Sequence, residues 1–346
     1  MQQIKQQAEK HSKKKLAFLL GITPNLAFAA GNVALSINKH MKSDDYDIVI
    51  YYTDLPDKDI RAFNKINHVV LKQFNLPEKF VRTMLQKMPE SSRFKSRNHL
   101  MCFAHFEVFP LLDTYENVAW IDVDTGIQRD LSNIIRYAPF GISPDTPWTV
   151  GNQFSRPIEE YDMDITGHCT AVMIVNDSLP YQKIYPWLYE QAEKYADALI
   201  NPDQAIISIM LQEFNITPQL MPLDEWQCIS WKEKAHIARI VHFGNARKIW
   251  KDINMCNAFP EWYRTHLEWL NLGGSDFNQS QISPHNILGT LDSINKSTTQ
   301  TNHKKSRYTK KKIYLFGIIP LIKIKRKPNK TKYYLFSCIP FLKFKG

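Results

Sequence analysis

The run Val118-Ala119-Trp120-Ile121-Asp122-Val123-Asp124 carries four apolar residues into two carboxylates, and Thr125-Gly126 then breaks it. β-forming apolar residues closed by a glycine predict a buried strand reaching the edge of a sheet. Side chains alternate along a strand, so Asp122 and Asp124 fall on the same side at its C-terminal end. Open α/β sheets place their ligands there. Two carboxylates this close repel unless a cation lies between them, and a divalent metal is the natural occupant. Asp-x-Asp is common in surface turns; the apolar strand feeding it gives this one its weight.

Upstream, the chain has the rhythm of parallel βαβ units. After a polar N-terminus over residues 1–15, Leu16 to Ala30 behind Lys13-Lys14-Lys15 imitates a secretory signal. Gly21-Ile22-Thr23-Pro24-Asn25 cuts that apolar run short. The reading adopted is a strand over Leu16–Leu20, a loop, and a helix to about His40. Tyr46–Tyr52 reads as a second strand, Asp54–Lys65 as a helix, His68–Leu71 as a short third strand, and residues 90–113 as one helix. Downstream, Trp148–Asn152 and Ala171–Val175 read as strands, Tyr185–Leu199 as a helix, and Ile240–Gly244 as a short strand. Asn201-Pro202-Asp203-Gln204 has the composition of a helix start, with an Asn cap and Pro at the first position. Residues 258–272 form a Trp-rich helix. Five cysteines, odd in number and never closely spaced, offer neither a zinc pattern nor a disulfide framework and suit a reducing compartment.

With 346 residues and 44% apolar content the chain is globular, with ample material for a core. Its net charge of +10 is an average of two unlike parts. From Lys304 onward there are 14 Lys/Arg and no Asp/Glu, leaving 30 basic against 34 acidic residues before it, a net of −4. Residues 273–311 are polar and read as a linker. In the tail, 312–346, Lys312–Lys325 recurs as Lys332–Lys345, a repeat of period 20. Each apolar run is about ten residues, short of the roughly 20 that cross a bilayer. Three readings of the repeat stay open. A segment in the headgroup layer, held by anionic lipid, suits the flanking lysines and the aromatics. A nucleic-acid arm is disfavoured, since bulky Ile, Leu and Phe would be costly facing phosphate, and no nucleic-acid partner is expected. A pair of hairpins packing on protein is the third.

Three pieces stand in order: Asp122-Val123-Asp124 after a strand, Asp203-Gln204 at a helix start, and His242 six positions before Lys248. The set resembles the retaining glycosyltransferases of family 8, which include glycogenin and lipopolysaccharide galactosyl- and glucosyltransferases, over roughly residues 16–270, and implies a catalytic domain over 16–272. The resemblance implies an α/β glycosyltransferase-A fold, with a Rossmann-like, mostly parallel sheet flanked by helices. It also implies a UDP-hexose donor, a glycan or glycolipid acceptor, and Mn²⁺ with Mg²⁺ as the alternative. Asp122, Asp124 and His242 match the family's metal ligands; hard oxygen donors with one imidazole suit such an ion. Lys248 matches a lysine on the donor diphosphate, and Gly244 with Asn245 a close backbone approach to phosphate. Asp203 matches a residue holding donor-sugar hydroxyls, and Gln204 one beside the anomeric carbon. An amide is a poor nucleophile, so positioning and dipole stabilisation suit Gln204 better. Blander readings exist for each alone: helix capping for Asp203 and Gln204, a buried histidine for His242, surface charge for Lys248.

The chain also departs from the family. Thr23 and Asn25 stand where an acidic pair meets the base and ribose, His105 stands where an arginine is usual, and Cys169-Thr170-Ala171 replaces Asn-Ala-Gly. Two other functions compete. A haloacid-dehalogenase-like phosphatase also uses Asp-x-Asp, but wants Thr or Val where Gly126 stands, on its first strand. A basic-tailed membrane adaptor explains the tail and not the body. The expectation is a transferase in the cytoplasm, peripheral to the inner membrane through residues 312–346.

Overall fold

Strand β1 (Lys14–Ile22) buries Leu16 to Leu20 completely or nearly so, and a strand without a polar face needs cover on both sides. Helix α1 (Ala27–His40) supplies one layer. The 3₁₀ segment Arg97–Val108 supplies the other, packing with Ala17 and Leu19. The stretch that imitates a secretory signal is thus a core strand, a turn and the helix that covers it. This computed structural model describes residues 13–244 and 248–277, together with four strands between 309 and 345.

Strand β2 (Tyr46–Tyr52), α2 (Asp57–Phe63), β3 (Val69–Gln73) and α3 (Glu78–Lys87) continue the alternation. They are followed by β4 (Tyr115–Ile121), β5 (Thr125–Ile127), β6 (Phe140–Thr149) and β7 (Thr166–Asn176). Then come α4 (Tyr181–Lys194), α5 (Pro202–Glu213), β8 (Gln219–Leu220), α6 (Leu223–Trp226), β9 (Cys228–Ile229) and β10 (Ile240–His242). Helices α7 (Ile253–Ala258) and α8 (Pro260–Asn271) complete the series.

Seven strands form one sheet in the order β3-β2-β1-β4-β7-β6-β8. β1, β2, β3 and β4 are mutually parallel, and β7 alone runs against its neighbours β4 and β6. Strand order reverses between β1 and β4, and open α/β sheets bind ligands past the C-terminal strand ends at such a switch point, where Thr23 and Asp122 emerge. A second sheet, β5-β10-β9, starts after a three-residue turn that follows β4. Asp122-Val123-Asp124 is therefore the turn that joins two sheets.

Several elements differ from the sequence reading. Thr125-Gly126 opens β5 rather than ending the structured run, because its backbone pairs with β10. Residues 90–113 are two 3₁₀ segments, Arg97–Val108 and Pro110–Asp113, because apolar residues at nearly every position must pack on a sheet and on helices at once. The strand placed at Trp148–Asn152 is the end of β6 and a 3₁₀ turn, Val150–Gln153. The helix placed at Tyr185–Leu199 runs Tyr181–Lys194 before a 3₁₀ turn.

Residues 1–278 and 279–346 separate into two units. The second contains β11 (Thr309–Leu315), β12 (Ile319–Lys327), β13 (Lys330–Leu335) and β14 (Ile339–Lys345), a four-stranded antiparallel sheet in sequence order. Each copy of the repeat contributes one hairpin. Among the described residues no helix is long and apolar enough to cross a membrane.

Candidate active site

The turn after β4 is pinned from both sides. The Asp122 N–H donates to the Ala171 carbonyl (2.8 Å), extending the pairing with β7, and the Thr125 hydroxyl donates to the Asp122 carbonyl (2.7 Å). The Phe243 N–H donates to the Asp124 carbonyl (2.8 Å). Because His242 lies opposite Thr125 in the β5–β10 pair, its ring falls beside Asp124. One ligand atom each from Asp122, Asp124 and His242 lie within 4.8 Å of one another, all in partly buried side chains. Two carboxylates and an imidazole converging in this way fit a divalent ion with hard-donor preference.

His242 Nε2 stands 3.3 Å from Asp124 Oδ1, and the Lys248 ammonium pairs with Oδ2 of the same carboxylate. Burial alone would raise the Asp124 carboxyl; His242 and Lys248 reverse this and hold it well below the usual carboxylate range. Burial disfavours the charged imidazole of His242, but Asp124 and then Asp122 outweigh it and raise its pKa. Lys248, expected to face a diphosphate, is thus engaged with a metal-ligand candidate. Gly244 has a local reason to be glycine: a Cβ there would lie 3.0 Å from His242 Cε1. Asn245 lies outside the described residues.

A second group of polar residues adjoins the first. Asp203, in the first turn of α5, accepts a hydrogen bond from the Thr170 hydroxyl on β7. His105 Nδ1 lies 2.7 Å from the Cys102 carbonyl, an acceptor only, so Nδ1 carries its proton. The ring stacks on Trp120 at 3.8 Å, which directs Nε2 at Asp122 Oδ1 (3.5 Å) and Asp203 Oδ2 (3.7 Å). These are ion-pair rather than hydrogen-bond distances, and Nε2 is buried without a hydrogen-bond partner. Burial opposes a charged ring, but Asp203 and then Asp122 outweigh it, and the His105 pKa is raised. Trp120 Nε1 donates to Asp122 Oδ1 at 2.7 Å. His105 thereby links the two carboxylates that come from distant parts of the sequence.

The capping explanation of 201–204 is only partly met. Pro202 does hold the first helical position, but the Asn201 side chain makes no capping bond. Gln204 is half-buried and its amide has no hydrogen-bond partner among the described residues. At the end of β1, the Thr23 hydroxyl donates to Asn25 Oδ1 (2.6 Å); Thr23 is buried and Asn25 exposed. The structure thus joins Asp122, Asp124, His242 and Lys248 directly, and Asp203 through His105. Thr23 and Asn25 lie at the same end of the sheet without a contact to that group. Trp120 gave no signal in the sequence, since it looks like an ordinary strand residue, and Thr170 stood out only as part of the Cys169-Thr170-Ala171 departure.

Residues 18–141 match Glycosyl transferase family 8. The family match covers β1 to the start of β6 and includes both aspartates of the turn. The galactosyltransferase LgtC, solved with donor and acceptor sugar analogs, is similar at 12% identity and a TM-score of 0.54, over 73% of this chain and 95% of that one. The bifunctional glycosyltransferase WbbM in its apo form gives 15% identity and a TM-score of 0.52, over 75% of this chain. The chain spans only 52% of WbbM's length. An active-site glutamine-to-glutamate mutant of LgtC is a third, with a TM-score of 0.53 at 12% identity. No curated protein matches the sequence. The fold is of the glycosyltransferase-A type, and the family match supports a glycosyltransferase. The turn carrying the two aspartates follows the fourth strand, not the first, which leaves the phosphatase reading without support.

Proposed function

We propose that the chain transfers a hexose from a UDP-sugar to a surface-glycan acceptor of lipopolysaccharide type, with retention of configuration and dependence on Mn²⁺ or Mg²⁺. The observation that carries this reading is the convergence of Asp122, Asp124 and His242 at the sheet's switch point, with Asp203 tied to Asp122 through His105. In this reading Asp122, Asp124 and His242 hold the cation. When bound, a divalent cation there supplies Lewis-acid stabilisation of the charge that grows on the departing diphosphate.

The chain's own residues do the rest. Lys248 moves from Asp124 to the diphosphate, as a point charge on a flexible stem. Asp203, oriented by Thr170 and His105, accepts hydrogen bonds from donor-sugar hydroxyls. The Gln204 amide, with no competing hydrogen-bond partner among the described residues, lends its dipole to an oxocarbenium-like sugar and positions it. Thr23 and Asn25 hydrogen-bond the nucleotide base at the end of β1. LgtC was solved with donor and acceptor sugar analogs, which agrees with a site that takes two sugars.

Calorimetric titration of UDP into the protein, with and without Mn²⁺, tests the reading. Binding that requires Mn²⁺ and disappears in Asp124→Ala is expected. UDP binding indifferent to both, or none at all, would overturn it.

A further inference from the structure

Helix α1 packs on both β5 and α8, and the three do not close fully against one another. Between them lies a cavity of about 160 Å³. Ser36 of α1, Gly126 of β5 and Thr265 of α8 line it with small side chains or none, and Phe243, Phe259 and Trp262 frame it. The gap is not easily filled from Gly126, where a Cβ would fall 3.1 Å from Phe243 Cε2. The Thr265 hydroxyl is already engaged with the Glu261 carbonyl (3.0 Å). Protein interiors hold few voids larger than a water molecule, and one of about 150 Å³ takes a benzene ring.

One polar group in the wall lacks a partner. Trp262 is 5% exposed, and its Nε1 is buried with no hydrogen-bond partner among the described residues. The adjoining ring atom, Cδ1, lies 4.0 Å from the place a Gly126 Cβ would take, so Nε1 stands beside the cavity. A buried donor left unpaired is destabilising, and an acceptor on a ligand would relieve it.

Lys39, His40 and Gln128 line both this cavity and a polar groove of about 600 Å³, so the two adjoin. Four permanent cations line the groove, Lys39, Lys42, Arg129 and Arg239, against one carboxylate, Asp130. Lys39 pairs with Glu261 (2.9 Å) and Arg239 with Glu225 (2.6 Å). Lys42 and Arg129 are exposed and form no ion pair among the described residues. Asp130 Oδ1 is occupied by the Ser132 N–H and hydroxyl (3.1 and 2.6 Å).

We propose that cavity and groove together bind a small anionic amphiphile, a phosphate monoester whose ring-sized apolar end carries a hydrogen-bond acceptor. The ring fills the cavity and meets the Trp262 N–H, and the phosphate lies between Lys42 and Arg129. Inorganic phosphate would leave the cavity and Trp262 unused. A neutral ring would leave the two cations unused, and a long acyl chain would exceed the cavity. Neither space is lined by Asp122, Asp124, His242 or Lys248, so the inference stands apart from the transferase reading.

Calorimetry on the full chain tests it with 4-methoxybenzyl phosphate and with its two halves, 4-methoxybenzyl alcohol and methyl phosphate. The intact ester is expected to bind about 10–100-fold more tightly than methyl phosphate, the effect of burying one ring. Ser36→Leu, which fills the cavity from a helix position suited to leucine, should cancel that advantage. Lys42→Gln with Arg129→Gln should weaken the ester by about 3–20-fold and leave the alcohol unchanged. These two positions are exposed and unpaired, so the double variant decides alone if Ser36→Leu fails to fold. Lys248→Ala should leave ester binding as it is. An ester that binds no tighter than methyl phosphate, or is indifferent to the double variant, would overturn the proposal. Loss of the ester in Lys248→Ala would place the anion at the metal turn and overturn it equally. Absence of binding by all three compounds would remove the site.

Discussion

Asp124 meets an imidazole at one oxygen and an ammonium at the other. A divalent ion at this carboxylate must compete with the Lys248 ammonium, which lies on Oδ2 and is about three-quarters buried. On the proposed reading Lys248 has two opposed effects, repelling the metal and attracting the nucleotide. Lys248→Ala should separate them. Mn²⁺ alone is expected to bind about 3–10-fold tighter, since a like charge close by in a partly buried site is removed. UDP in the presence of Mn²⁺ should bind about 10–100-fold more weakly, because the diphosphate loses its point charge. Calorimetry with each ligand reads both constants. A parallel fall in both would mean that Lys248 serves only to hold the loop in place.

Between elements, α1 and α8 approach each other closely. Gly31 of α1 faces the Trp269 ring so closely that a Cβ would fall 2.2 Å from Cε3. The ring cannot step aside: Trp269 is fully buried, lies 4.7 Å from the Phe63 ring, and donates from Nε1 to the Ser275 carbonyl (2.9 Å). Replacing a mid-helix glycine by alanine ordinarily gains up to about 1 kcal/mol. Here overpacking should exceed that gain, so Gly31→Ala is expected to lower stability in urea by about 1–3 kcal/mol. A stabilised variant would show that α8 can shift on α1. Such packing is invisible in sequence, whereas the elements it joins were largely legible. β1, β2 and β4 announce themselves because a strand buried on both faces needs an unbroken apolar run. Of the second sheet only β10 was legible, as the short strand at Ile240–Gly244, because β5 and β9, of three and two residues, carry no periodicity. Its register is what brings His242 to Asp124. The order of Asp122, Asp203 and His242 was readable, but not the link between the first two. That link runs through His105, whose use depends on a stack with Trp120 that spacing does not encode.

Across the whole chain, the polarity of residues 273–311 puts the end of the catalytic unit at 272, but its physical end lies beyond Phe277. Asp59 on α2 is completely buried and accepts from the Ser275 N–H (2.6 Å) and the Ser275 hydroxyl (2.7 Å). Asp276 Oδ1 lies 2.8 Å from His266 Nε2, and Phe277 is buried with its ring 5.5 Å from Phe28 and 4.9 Å from His266. Small polar residues here read as linker because composition averages over the few that make buried contacts. A chain ending at 272 would leave the Asp59 carboxylate buried without these donors and would expose the pocket that Phe277 fills. Phe277 alone represents about 2 kcal/mol of apolar burial, and an unpaired buried carboxylate costs at least as much until water reaches it. A chain ending at 278, where contacts separate the two units, loses none of this. The 1–278 chain is therefore expected to unfold within a degree or two of the full chain and to keep its affinity for UDP with Mn²⁺. The 1–272 chain should unfold about 10 °C lower, at roughly 2–4 °C per kcal/mol for a domain of this size. Differential scanning calorimetry of the two truncations against the full chain decides the matter. Equal melting temperatures for both would return the boundary to 272 and make the Asp59–Ser275 clasp incidental. A marked loss in the 1–278 chain would mean that the tail sheet stabilises the catalytic unit, and that the two are not independent.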